Sequence, residues 1–169
     1  MIHRPRYLII SFFLAGSLGL LGIGLWPRPV LVIENVSQNI ELFTSRVQPE
    51  DNLWVVFINS VEGLPVADHF VLNENCNIHF TETIFQAPYA GYLRESQAET
   101  VAPKTSRITG YDRLVPEITF FAGYESRHML FFNGHWVTVY DQSRGGDLIR
   151  IAVRRKSPFG SVIQKDADP

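Results

Sequence analysis

The sequence lacks several features that would each indicate a particular class of function. It has a single cysteine, Cys76, so neither an intramolecular disulfide nor a cysteine-based metal cluster can form. Three of the fifteen basic residues precede Pro29, which leaves twelve against seventeen acidic residues and a net charge of −5. Because nucleic-acid binding depends on a basic surface, this balance argues against nucleic acid as a partner.

Motifs of the common enzyme classes are also absent. The chain contains no phosphate-binding loop, no dinucleotide fingerprint, no zincin motif and no Gly-x-Ser-x-Gly elbow. Ser60, Glu62, Asp68 and His69 supply the residue types of a hydrolase, but such types are expected by chance in a chain of this length. We therefore predict no cofactor and no catalytic residue, and we leave enzyme activity open as the least favoured function.

The first residues contain a long uncharged run. Arg4 and Arg6 form a positive start, and residues 7–26 carry no charge. Twenty helical residues at ~1.5 Å each span a hydrocarbon core of ~30 Å, whereas a signal peptide needs only ~7–15 apolar residues. Residues 1–28 are therefore predicted to be a signal anchor. Because arginines near a membrane helix stay in the cytoplasm, the amino terminus is expected on that side. This single transmembrane helix of the cell inner membrane would leave the rest of the chain in the periplasm. Cleavage after the small residues 15–17 is the alternative.

After Pro29 the apolar residues alternate with period two and are interrupted by turn residues, which is typical of strands. Eight or nine short strands without a soluble helix predict an all-β fold, either an antiparallel β-sandwich or a small β-barrel. The β domain is predicted to cover residues 29–156, and residues 157–169 a flexible tail. Asn133-Gly134 predicts the clearest hairpin, because this pair suits a type I′ turn.

The stretch 53–66 is predicted to lie at the centre of the domain. Its apolar run 53–58 is typical of a strand that is covered on both faces. The chain then turns, and Ser60 and Glu62 are expected to be buried in that turn. There their oxygens would accept hydrogen bonds from backbone N–H groups that the kinked strand leaves unpaired.

Two histidines are the strongest candidates for a metal site. The hairpin that follows residue 65 gathers its apolar side chains on one face, which predicts that His69 and His79 are direct cross-strand neighbours on the other. A structural zinc site needs four ligands and a catalytic site three, and no third ligand is fixed by the spacing. We therefore interpret them as surface histidines and keep the metal site as a weak alternative.

A polar stretch over residues 94–113 is predicted to be a long loop, and such loops are usually functional or mobile. Its arginines could form charge-assisted hydrogen bonds with an acidic ligand, beside the small and aromatic residues of the preceding loop. The candidate ligand-binding residues are Arg94, Arg107, Arg113, Tyr89 and Tyr92.

These segments resemble the domain of unknown function 1850 family over roughly residues 30–155. The opening signature of the family is similar to the run from Phe57 to Phe70, and the residues that carry it are Asn59, Ser60, Val61, Glu62, Pro65 and Val66. Segments 83–91 and 128–153 resemble its second element and its closing strands. Two departures stand out: Asn59 replaces the histidine of the family, and Tyr89-Ala90-Gly91 replaces a Gly-Ala-Gly loop.

The resemblance implies a location and a partner, because the family has no established activity. Its bacterial members are often associated with tripartite (TRAP) transporters of the TAXI type, which carry acids. We therefore expect a membrane-anchored extracytoplasmic accessory module. Its partners would be the cytoplasmic membrane and a transporter permease or its binding protein. The alternatives are a β domain that binds an acidic small molecule and, third, an extracytoplasmic hydrolase.

Overall fold

A computed structural model describes residues 26–86 and 98–157. Residues 29–154 form one compact unit, which carries the sheets. Within the described residues, no helix is both long and apolar enough to cross a membrane. The predicted anchor up to residue 25, the tail from residue 158, and the candidates Tyr89, Tyr92 and Arg94 lie outside the described residues.

Eleven strands occur in the described residues, together with one 3-10 turn at Val139–Asp141. They are β1 (Arg28–Asn35), β2 (Ile40–Arg46), β3 (Asn52–Asn59), β4 (Leu64–Leu72), β5 (Ile78–Phe85), β6 (Glu99–Ala102), β7 (Thr105–Val115), β8 (Ile118–Phe121), β9 (Met129–Phe132), β10 (His135–Thr138) and β11 (Leu148–Lys156). One sheet has the order β2-β1-β11-β8, and the other has the order β10-β9-β3-β4-β5-β7-β6. The prediction of an all-β antiparallel fold is confirmed.

The two sheets share one buried core, because each strand turns alternate residues inward. Apolar side chains from both sheets belong to the same cluster, and each fully buried one contributes about 1.5–3 kcal/mol relative to exposure. The members with no exposed surface are Leu31, Ile33, Ile149 and Ile151 from the smaller sheet, Leu53, Leu72, Leu130 and Phe132 from the larger one, and Val139 from the 3-10 turn.

The predicted central strand is β3, which lies between β4 and β9 in the interior of the seven-stranded sheet. Leu53 and Val55 are buried in the core. Trp54 and Val56 alternate with them on the opposite face and are only partly buried. The prediction of a strand covered on both faces is therefore wrong for the outer face, which nothing in the described residues covers completely.

The predicted loop over residues 94–113 is wrong where the structure describes it. Strands β6 and β7 form an antiparallel hairpin there, with Glu99 opposite Arg107 and Lys104 in the turn at a φ of 59°. All four residues of β6 are exposed at the sheet edge. An exposed edge strand needs no alternation of apolar and polar residues, because neither face is buried. The sequence pattern therefore did not indicate a strand here.

The Asn133-Gly134 hairpin is confirmed between β9 and β10. Both residues have positive φ angles, 47° and 80°, as a type I′ turn requires. The hairpin adds β9 and β10 beside β3, so that it extends the larger sheet at the side away from β4.

Candidate functional site

The turn between β3 and β4 is organised by Asn59. Asn59 is 7% exposed, and its side-chain oxygen accepts a hydrogen bond from the Val61 N–H at 3.0 Å. The Gly63 N–H donates to the Asn59 carbonyl oxygen at 2.8 Å, with Gly63 at a φ of 67°. A left-handed conformation of this kind favours glycine. Asn59, the last residue of β3, therefore accepts hydrogen bonds from two backbone N–H groups of the turn.

Ser60 and Glu62 are exposed, and Val61 between them is 84% exposed. The prediction that Ser60 and Glu62 are buried is therefore wrong. The strand ends at Asn59, and the next residues project beyond the sheet, where water can satisfy backbone groups. The two remaining signature residues differ from each other. Pro65 is exposed, whereas Val66 is buried in a small cluster with Phe85 and Ile108.

This turn forms one wall of an open cleft of about 530 Å³. The other wall is the connection between β8 and β9, and the Ile58 N–H joins the two walls by donating to the Ser126 carbonyl oxygen at 2.7 Å. The volume lies within the ~300–1,000 Å³ that is usual for small-molecule sites. The residues that line the cleft are Ile58, Ser60, Gly63, Tyr124, Glu125 and Arg127.

The second wall of the cleft has an unusual backbone. Arg127 adopts a left-handed conformation with a φ of 41°, which is uncommon for a residue other than glycine. Tyr124 is 78% exposed, and its ring lies directly against Gly145, where an added Cβ would come within 2.5 Å of the ring. Neither Glu125 nor Arg127 forms an ion pair with another described residue.

His128 follows this wall directly and lies between two aromatic rings. Its ring stacks on Phe120 at a centroid distance of 4.1 Å and on Phe57 at 5.3 Å. The buried Nδ1 atom has no hydrogen-bond partner among the described residues. Burial lowers the pKa of His128 to about 4, so the imidazole is neutral at pH 7. Sequence reasoning missed this packing, because residues 57 and 120 meet His128 only through the fold.

The prediction that His69 and His79 are direct cross-strand neighbours is wrong. The β4–β5 loop is five residues long, 73–77, and Leu72 pairs with Ile78, so that His79 lies opposite Val71. A register shift between Phe70 and His69 then places His69 opposite Glu82. Loops of three and of five residues leave the same side chains on each face, so alternation alone does not distinguish the two registers.

Each of these histidines has its own partners. His69 stacks on Trp54 at 4.2 Å, and its ring nitrogens contact Asn52 Oδ1 at 2.8 Å and Thr81 Oγ1 at 2.9 Å. Burial lowers the pKa of His69 more than the nearby Glu82 carboxylate raises it. The Nδ1 of His79 lies 3.0 Å from Asp112 Oδ1, and its Nε2 lies 3.1 Å from the Asn73 amide nitrogen. Among the described residues, no group of three His, Cys, Asp or Glu side chains could hold a metal ion.

The two described arginine candidates lie on β7 and do not converge. Arg107 forms an ion pair with Glu99 at 3.1 Å, whereas Arg113 is exposed and pairs in register with Phe80. Cross-strand partners lie on the same face of a sheet, so Arg107, opposite Ile84, lies on the outer face, whereas Arg113 lies on the core face with Phe80. A single small carboxylate cannot contact both.

A row of aromatic rings crosses the outer face of the seven-stranded sheet. Trp136, Phe131, Trp54 and His69 occupy β10, β9, β3 and β4 and are successive cross-strand partners. We call these four residues the aromatic row. Trp136 is 58% exposed, and its ring lies 5.0 Å from that of Phe131. The alternation of aromatic residues with core residues in β3 and β9 was the sequence signal for this face.

A second row runs parallel to the aromatic row and is apolar. It consists of Met129, Val56, Ala67 and Ile84, which are successive partners on β9, β3, β4 and β5. All four side chains are partly buried. The outer face therefore presents two adjacent rows without a charged residue across the centre of the sheet.

No protein-family model, curated protein or solved structure matches the chain. The resemblance to the domain of unknown function 1850 family stays a prediction.

Proposed function

We propose that this chain is a membrane-anchored extracytoplasmic accessory module that binds a protein of a TAXI-type tripartite (TRAP) transporter. The observation that carries the proposal is the aromatic row with the apolar row beside it. An antiparallel sheet that covers a core on one face usually presents polar residues on the other. Exposed apolar patches are typical of protein–protein interaction sites, and here Trp136 is 58% exposed while the other residues of the two rows are partly buried.

The composition of the face supports a protein partner. Tryptophan, phenylalanine and methionine are enriched in protein interfaces, and tryptophan is common among the residues that carry most of the binding energy. Trp136 lies on β10, at the edge of the sheet, and is the most exposed member of the aromatic row. It is therefore the residue that we expect to enter a pocket of the partner.

The membrane location and the type of partner rest on the sequence. The uncharged residues 7–26 after Arg4 and Arg6 support an anchor whose following domain lies outside the cytoplasm. The family signature at residues 57–66 supports a transporter permease or its binding protein as the partner. An accessory function also suits a domain whose candidate nucleophile and base lie apart. Ser60 is in the turn, and His69 is five residues beyond Leu64 along β4, about 16 Å.

The binding of an acidic ligand by β7 has less support. The guanidinium of Arg107 is already paired with Glu99, and Arg113 lies on the other face of the sheet, opposite Phe80. A thermal-shift panel of small carboxylates tests this second function. A rise in the melting temperature that is lost in an Arg107→Gln variant would favour it over the accessory module.

Photo-cross-linking in the native membrane tests the accessory function. A photoreactive phenylalanine analogue replaces Trp136, and the matched control carries it at Ile40, which is 48% exposed on the other sheet. We expect the Trp136 position to cross-link to a transporter permease or its binding protein and the Ile40 position to give no such product. The proposal is overturned if Trp136 gives no adduct with a transport protein, or if both positions give the same adducts.

A further inference from the structure

The cleft between the β3–β4 turn and residues 123–127 has the size of a small-molecule site and lies apart from the aromatic row. Its volume is about 530 Å³, and no member of the aromatic row lines it. It begins at the end of β3 where Ile58 and Ser60 are found, whereas Trp54 lies four residues earlier in the same strand. Whatever binds in the cleft can therefore do so independently of a protein on the outer face.

The cleft carries one positively and one negatively charged side chain, and a ligand can reach both. Arg127 and Glu125 line the same wall, are exposed, and form no ion pair with each other or with another described residue. A guanidinium donates two parallel hydrogen bonds to a carboxylate. A carboxylate such as that of Glu125 accepts hydrogen bonds from an ammonium group. The wall therefore offers one group for each end of a ligand that carries both charges.

The same pair of charges discriminates against simpler ligands. A plain carboxylic acid would be attracted by Arg127 but repelled by Glu125, and a plain amine would meet the reverse. Specificity of this kind depends on a repulsive element as much as on an attractive one. A ligand with an anionic and a cationic group can pair with both side chains.

The remaining lining residues suit the rest of such a ligand. Ile58 and the Tyr124 ring supply apolar surface, and the Ser60 hydroxyl can both donate and accept a hydrogen bond. The backbone of this wall is fixed in place, since the Ser126 carbonyl accepts from Ile58 at 2.7 Å and the Arg127 N–H donates to the Gly123 carbonyl at 3.3 Å.

From these observations we propose that the cleft binds a small zwitterion of the α-amino acid class. Arg127 holds the carboxylate, Glu125 holds the ammonium group, and the ligand side chain lies against Tyr124 and Ile58. This binding site is separate from the protein partner of the proposed function and does not depend on it.

Calorimetric titration of the full chain in detergent tests the proposal with defined probes. The probes are L-leucine, L-glutamate and L-lysine, together with two blocked analogues of leucine, N-acetyl-L-leucine and L-leucinamide. We expect L-leucine to bind, because Ile58 and the Tyr124 ring supply apolar surface for its side chain. Since leucinamide lacks the carboxylate and the acetylated form lacks the ammonium group, each blocked analogue of leucine should bind at least about tenfold more weakly than leucine.

Two variants show whether Arg127 and Glu125 bind the groups assigned to them. Arg127→Gln should weaken leucine binding and remove the difference between leucine and leucinamide, whereas Glu125→Gln should remove the difference between leucine and its acetylated form. Matched controls are Arg46→Gln and Glu74→Gln, which change exposed residues outside the cleft and should leave all affinities unchanged. A Trp136→Ala variant should also bind leucine normally, which separates this site from the protein partner.

The result that overturns the proposal is equally defined. It fails if none of the three amino acids binds at millimolar concentration, or if leucine and its two blocked analogues bind equally. It also fails if the two cleft variants behave like the controls.

Discussion

The side-chain amide of Asn35 donates a hydrogen bond to the Asp147 carboxylate over 2.8 Å and joins the end of β1 to the residue before β11. Asn35 has no exposed surface, and its side-chain oxygen accepts from the Gln38 N–H at 3.1 Å. Asp147 also accepts from the Arg144 N–H at 2.7 Å. One buried amide and one carboxylate thus hold together two turns that are 112 positions apart.

Replacing Asn35 with alanine should destabilise the domain. The change removes both hydrogen bonds of the side chain and leaves the Asp147 carboxylate with one donor fewer, so we expect a loss of about 1–3 kcal/mol in the free energy of unfolding. Denaturant unfolding measures this loss. The matched control is Asn77→Ala, which removes an exposed amide and should cost less than about 0.5 kcal/mol. Equal losses in the two variants would contradict the assigned role of Asn35.

The Asp147 carboxylate should also make the domain sensitive to acid. The hydrogen bonds from Asn35, the Arg144 N–H and Gln38 outweigh burial and lower the pKa of Asp147 below its ordinary value of 3.8. The unfolded chain therefore binds the proton more readily than the folded protein does. The stabilisation is complete above pH 3.8 and is lost as the pH falls through the lowered pKa. The measurement is the free energy of unfolding as a function of pH for the wild type and for Asp147→Asn. The difference between the two proteins should shrink as the pH falls through this range, and a difference that does not change with pH would exclude the effect.

His128 should produce a second pH dependence at higher pH. Burial between Phe57 and Phe120 lowers its pKa from 6.5 to about 4, so the unfolded chain binds the proton more readily between these values. The stability is complete above pH 6.5 and falls as the pH decreases from 6.5 to about 4. Each unit of pKa difference corresponds to about 1.4 kcal/mol in the free energy of unfolding. Because the ring is partly exposed, the effect is reduced, and we expect a loss of about 1–2 kcal/mol.

A His128→Phe variant separates this effect from the other titrating groups. Phenylalanine keeps the stacked arrangement and removes the buried nitrogen that has no partner, so stability at pH 7 should be unchanged or higher. Thermal unfolding between pH 7 and pH 4 should show a smaller decrease than in the wild type. The control is His135→Phe, which changes an exposed histidine and should retain the full decrease. The assignment is wrong if both variants retain it.

Local patterns were sufficient to predict the parts of the fold that depend on neighbours in sequence. Period-two alternation after Pro29 indicated strands, and in β11 the fully buried Ile149 and Ile151 flank the partly buried Arg150. The conformational freedom of Asn133 and Gly134 indicated the turn between β9 and β10. Both signals lie within a few residues of the structure that they specify, so no knowledge of the sheet order was needed.

The parts that could not be predicted depend on contacts between distant segments. The five-residue loop between β4 and β5 places Val71 instead of His69 opposite His79, and the alternation of β4 and β5 would be the same with a three-residue loop. The cleft combines Ser60, from the stretch that the sequence emphasised, with Arg127, from a connection that carries no motif. Strand β6 shows no apolar alternation, because all four of its residues are exposed and neither face is buried. Its strand conformation was therefore not visible in the sequence pattern.

The position of the Tyr124 ring should depend on the absence of a side chain at residue 145. A Cβ at this position would lie 2.5 Å from Tyr124 Cε2, so Gly145→Ala must displace the ring. Because the ring is 78% exposed and can rotate away, we expect the variant to fold with a loss of less than about 1 kcal/mol. At the proposed amino acid site, the displaced ring should no longer contact the leucine side chain, and the affinity for L-leucine should fall severalfold.

A double-mutant cycle tests this coupling directly. Tyr124→Ala removes the ring, so adding Gly145→Ala to it should change neither the stability nor the affinity any further. Denaturant unfolding and calorimetric titration of the four proteins give both coupling terms. The coupling energy from unfolding requires no ligand. It therefore tests the contact between Tyr124 and residue 145 even if no amino acid binds in the cleft. Additive effects in both measurements would show that residue 145 acts on the backbone instead of on Tyr124.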